Sequence, residues 1–92
     1  MSLNIKQAIQ MARAQFLELL PELSIEPTDV RLEEIEKENE NWAITFSVPN
    51  PDFDPDAFLD GIRSARLDAR IAKVIVVGGS EGQFLALRER VA

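Results

Sequence analysis

The closing stretch of the chain, Ala69 to Arg90, constrains its fold more than any other feature. Val74-Ile75-Val76-Val77 and Phe84-Leu85-Ala86-Leu87 are apolar runs of strand length, separated by Gly78-Gly79-Ser80-Glu81-Gly82. Short apolar runs bounded by turn signals suit strands covered on both faces. Glycine supplies the positive φ angles that tight hairpins require. The expectation is a C-terminal antiparallel hairpin that needs a cover on each face. A rival arrangement makes residues 84–91 a helix behind a phosphate-gripping glycine loop. No lysine follows the glycines, so a P-loop is excluded, and a lone glycine-rich loop is weak evidence for a nucleotide. The hairpin reading is the preferred one.

Four further segments give the hairpin its setting. Ile5, Ala8, Ile9, Ala12, Phe16, Leu19 and Leu20 recur at helical spacing, which makes one apolar stripe on a helix over residues 4–20. Asn4 suits the N-cap and Gln7 the reciprocal position of a capping box. Pro21 stops the helix, because proline disfavours helical geometry in the residue before it. Val30 to Lys37 starts as an alternating strand, and its phase breaks at Glu33-Glu34-Ile35, which suggests a bulge or a fraying exposed edge. After the polar turn Glu38–Asn41, Trp42 to Val48 alternates cleanly. Trp42, Ile44, Phe46 and Val48 are expected to face the helix, with Ala43, Thr45 and Ser47 facing away. Asp54 and Pro55 open a short helix over about residues 55–66.

The whole is therefore expected to be one α+β domain spanning residues 1–92. An N-terminal helix packs on a four-stranded antiparallel β-meander, with a short helix before strand three. The 46% hydrophobic and 28% charged content is that of an ordinary folded domain. No apolar run approaches the roughly 20 residues that span a bilayer, so no membrane partner is expected. The amphipathic N-terminus carries no signal-peptide pattern, and a cytoplasmic location is the expectation.

Charge and missing residue types narrow the chemistry. The net charge is −6, which argues against nucleic acid as a partner, since phosphate binding needs a basic face. Residues 1–60 hold 4 basic and 13 acidic side chains, and residues 61–92 hold 6 basic and 3 acidic. The two halves thus differ in sign. With no histidine and no cysteine, Ser24, Ser47, Ser64 and Ser80 lack the usual activating base, and thiolate chemistry and disulfides are absent. Asp52, Asp54 and Asp56 open like a calcium loop, yet Ala57 and Arg63 occupy the positions of its glycine and bidentate glutamate. Helix capping explains these acids better. Glu33, Glu34, Glu36, Glu38 and Glu40 sit on an exposed strand and turn, a poor place to separate the pKa values of a catalytic pair. Lys73 is expected to lay its stem along apolar neighbours and keep its ammonium in solvent. Trp42 reads as core. Arg63, Arg66 and Arg70 read as an anion-binding cluster, with placement at a helix C-terminus accounting for the first two equally well. The expectation is no catalytic, metal or cofactor site.

Arg70, Lys73-Val74, the turn ending at Gly82, and Phe84-Leu85 through Arg88-Glu89 resemble the closing hairpin of small PepSY-like bacterial domains. The order of the N-terminal helix, Val30–Glu36 and Trp42-Ala43-Ile44-Thr45-Phe46 is also similar. Gly78-Gly79 stand in place of an acid-bearing turn, and Ala72 in place of an aromatic. The resemblance implies a helix against an antiparallel meander and a non-enzymatic role tied to peptidase propeptides, inhibition or protein binding.

The functional expectation is a small non-enzymatic interaction module, binding a second copy of itself or another protein through its sheet. Ile75, Val77, Leu85 and Leu87 are the expected interface, because exposed apolar patches mark interaction sites. The alternative is a small-ligand binder or enzyme with a pocket between helix and sheet, reached by Lys73 or a buried carboxylate.

Overall fold

The computed structural model describes residues 3–51 and 70–90. One helix, α1 (Ile5–Leu19), precedes a 3-10 turn at Pro21–Leu23 and four strands: β1 (Arg31–Glu38), β2 (Asn41–Pro49), β3 (Arg70–Val77) and β4 (Phe84–Glu89). The strands form one antiparallel sheet in the order β1-β2-β3-β4. This is the α+β arrangement expected from the sequence. The short helix expected at 55–66, the Asp52, Asp54 and Asp56 loop, Ser64, Arg63 and Arg66 lie outside the described residues.

α1 starts as its sequence dictates. The Asn4 side chain accepts from the Gln7 amide at 2.8 Å, and the Gln7 side chain accepts from the Asn4 amide at 3.0 Å. Two N–H groups that no helical carbonyl can reach are thereby satisfied. The helix stops before Pro21, and Ser24 turns the chain in the left-handed region at φ 59°. Ala8, Ala12, Phe16 and Leu20 are fully buried along the stripe that meets the sheet.

Antiparallel register decides what they meet. Ile35, Ile44, Ile75 and Leu87 lie side by side across the four strands, forming a transverse row beneath the helix. Neighbouring rows on this face run Lys37, Trp42, Val77, Phe84 and Leu32, Phe46, Lys73, Glu89. Ile44, Phe46, Val48, Ile75 and Val77 make up the sheet's half of the core. Each such aliphatic or aromatic side chain contributes about 1.5–3 kcal/mol by leaving water. Phe16 stacks on Phe46 with ring centroids 5.3 Å apart, a geometry worth about 0.5–1.5 kcal/mol beyond the area it buries.

β3 begins at Arg70, earlier than its apolar run at Val74. The nine-residue β2 supplies the reason, because Ile71 and Arg70 find partners in Val48 and Pro49. Ala43, Thr45 and Ser47 do face away from α1, yet all three are buried. The expected phase break in β1 is a bulge: register shifts between Leu32 and Glu34, leaving Glu33 unmatched.

The glycine loop works differently from a simple hairpin turn. Only Gly82 adopts positive φ, at 72°. Gly79 is required by proximity, since a Cβ there would lie 1.6 Å from the Glu40 carbonyl oxygen in the β1–β2 turn. The two hairpin turns therefore touch, and the Leu3 amide donates to the Gly79 carbonyl at 2.7 Å. Loop closure joins the N-terminus to the same end of the sheet.

Candidate functional site

The sheet has two edges, and their chemistry differs residue by residue. β1 presents Glu33, Glu34, Glu36 and Glu38 along one strand. β4 presents Phe84, Leu85, Ala86 and Leu87 before its first charge at Arg88. Phe84 is 39% exposed and Leu85 46%. Both strands contain an irregularity. In β1 the unmatched residue is the charged Glu33, and Ser47 Oγ donates to its carboxylate. In β4 the register skips Leu85, an apolar side chain turned to water.

The β1 margin is held by a polar network. Arg70 donates from Nε to Ser47 Oγ at 2.9 Å and from Nη2 to the Ser47 carbonyl at 3.0 Å. It also donates to the Asp29 carboxylate at 2.8 Å and to the Asp29 carbonyl. Arg31 donates to the same carboxylate. The hydrogen bond from Arg70, then that from Arg31, holds the Asp29 carboxyl below its ordinary value of 3.8. Asp29 itself sits at φ 48°, a left-handed position that Asp tolerates better than most residues. Arg70 thus ties the loop before β1 to the end of β2. It is one of the three arginines read as an anion-binding cluster, and its guanidinium is engaged by the protein's own Asp29.

Ion pairs also cross the outer face. Arg88 meets Glu38 at 3.1 Å and Arg90 meets Glu34 at 2.8 Å, so the two edge strands are joined over the face opposite α1. A trough of about 290 Å³ lies there, lined by Glu34, Glu36, Glu38, Ala43, Thr45, Val74 and the arginines. A second cleft of about 390 Å³ lies beside the contact between the two hairpin turns, with Lys37, Asn41, Ser80 and Gln83 among its walls. α1 lines neither cleft. Among the described residues, no group of histidine, cysteine or carboxylate side chains is placed to hold a metal ion. No helix there is long and apolar enough to cross a membrane.

The expected interface residues divide. Ile75 and Val77 are fully buried in the core under α1. Leu87 packs half-buried against that core. Leu85 stands exposed at the β4 edge. Lys73 faces the helix side in a row with Phe46; its side chain is 11% exposed and is ion-paired with Glu89. Trp42 is half-buried against the core, with the Lys37 ammonium 4.6 Å from its ring centroid. Its buried indole N–H has no hydrogen-bond partner.

Phe84 and Met11 are among the exposed apolar residues that sequence reasoning missed, as are Leu17, Leu23 and Leu32. Met11 is 41% exposed on the flank of α1, and its sulfur lies beside Gly82. The signal was present in Met11's position just off the apolar stripe. No family model, curated protein or solved structure matches the chain.

Proposed function

We propose that the protein is a small non-enzymatic interaction module that docks a partner polypeptide as an added strand along β4. The observation that carries this reading is the contrast between the edges. An edge strand offers unpaired backbone donors and acceptors to any extended chain, and proteins usually guard such edges with charge. β1 carries that guard in four glutamates that follow one exposed leucine, Leu32, whereas β4 sets Phe84 and Leu85 exposed side by side. Main-chain hydrogen bonds would supply affinity, and the apolar side chains would select the partner's alternate residues. The resemblance of this hairpin to PepSY-like domains supports a protein-binding role.

A photo-cross-linking amino acid placed at Leu85, and separately at Glu36, tests the reading in cells. Protein adducts are expected from position 85 and not from position 36. Adducts at position 36 alone, or at neither position, would refute it.

A further inference from the structure

We infer that the strand docked on β4 is β4 of a second copy, paired antiparallel about a two-fold axis so that two sheets become one of eight strands. The inference rests on the docking reading above and supplies its partner.

Three observations choose a second copy and this edge. The first is charge. The molecule is acidic overall, at −6, so two copies repel unless their acidic parts are kept apart. The four β1 glutamates lie on the edge opposite β4. Joining β4 to β4 keeps the two β1 backbones at opposite ends of the combined sheet, and leaves Glu34 and Glu38 paired with the arginines of their own copy. Joining β1 to β1 would instead bring eight glutamates together.

The second observation is how β4's own charges are held. Arg88 is paired with Glu38, Arg90 with Glu34 and Glu89 with Lys73, each within one copy. The joining strand therefore arrives with its charges compensated, and no acid or base needs a partner from the second molecule. Like charges directly opposite on paired strands are destabilising, so the register that stacks Arg88 on Arg88 is disfavoured. The axis falls at Ala86 or Leu87, which sets small and apolar residues against each other.

The third observation is apolar surface at the same edge. Phe84 and Leu85 are more than a third exposed, and Met11 reaches the β3–β4 loop from α1. Two-fold pairing brings this strip against its own copy, so the same side chains are covered twice by one contact. Closed two-fold association also ends at two molecules, because each copy uses its single unguarded edge.

The absence of cysteine from the chain makes the test clean. Facing Cα atoms of an antiparallel pair, about 4.5–5.5 Å apart, match the spacing that a disulfide needs. Purified full-length protein is expected to sediment at twice its 10.3 kDa chain mass. Of the single variants Ala86→Cys and Leu87→Cys, at least one should cross-link on mild oxidation, whereas Glu36→Cys should not. Leu85→Lys should restore the single-chain mass while circular dichroism stays unchanged. A single-chain mass for the unaltered protein across micromolar concentrations, or cross-linking at Glu36→Cys matching that at position 86 or 87, overturns the two-fold pairing. If that single-chain protein still yields adducts with a different protein from position 85, strand docking stands and only the second copy falls. If position 85 yields no adduct, both fall.

Discussion

The two edges of this sheet are built from the same backbone and reach opposite solutions. β1 is long, acidic and bulged, and its irregular residue is a carboxylate bound to Ser47. β4 is short, and its irregular residue is an exposed leucine. An edge strand's backbone is indifferent to what pairs with it, so its side chains decide whether pairing happens. In β1 an approaching chain would have to desolvate carboxylates. In β4 it would cover the apolar surface of Phe84 and Leu85. The two margins thus differ in charge and in exposed apolar surface.

That contrast can be broken most severely by removing charge from the acidic edge. In the double variant Glu34→Val and Glu36→Val, each copy would carry two receptive edges, and association would no longer end at a closed pair. Light scattering should show mass growing with concentration and time. A variant that keeps the mass of the unaltered protein would show that these acids do not guard the edge.

The next largest effect separates core from edge within one hairpin. Ile75→Ala removes a fully buried side chain beneath α1 and should lower unfolding free energy by about 2–5 kcal/mol. Leu85→Ala, at the exposed edge, should stay within about 0.5 kcal/mol at concentrations where the chain is single. Denaturant titration of both variants measures the difference. Equal losses would mean that Leu85 belongs to the core.

The β1 margin itself should respond to Ser47→Ala. The substitution removes the hydroxyl that accepts from Arg70 and donates to Glu33, and a loss of about 1 kcal/mol is expected by denaturant titration. Asp29 adds a pH signature. Its carboxyl is held below 3.8 by Arg70 and Arg31, so the folded form binds its proton less readily than the unfolded chain. The resulting stability is fully present above 3.8 and is lost as pH falls through the lowered folded value. The Tm difference between the unaltered protein and Asp29→Asn should therefore be steady near neutrality and shrink in acid. A difference that grew on acidification would contradict the assignment.

The smallest effect belongs to the pairs that cross the outer face. Arg88 is 51% exposed and Glu38 35%, and exposed pairs contribute about 0–1 kcal/mol. Arg88→Gln should move Tm only slightly and reduce its dependence on salt. A large destabilisation would show that this pair, rather than the core, holds the two edges together.

Much of the fold was legible because local rules and packing agree. The helix announced its own start in Asn4 and Gln7, since a capping box needs only residues three apart in sequence. The period-two pattern of Trp42–Val48 identified its core face, because a strand's side chains must alternate. The break at Glu33–Ile35 located the bulge for the same reason. Which apolar residues stay exposed was only half legible. Ile75 and Val77 belong to the same apolar run as Val74 and Val76, and no local rule says which face a single helix will cover.

The sequence by itself determined the element order, the caps and the alternating faces, all consequences of backbone periodicity and short-range hydrogen bonding. Tertiary structure alone decided which apolar residues remain exposed. α1 lies over β2 and β3, so it buries Ile75 and Val77 and stops short of Leu85. It also placed Gly79 against Glu40, Arg70 between Asp29 and Ser47, and the arginines of β4 over the glutamates of β1. These partners are distant in sequence, and only the register of four paired strands brings them within reach.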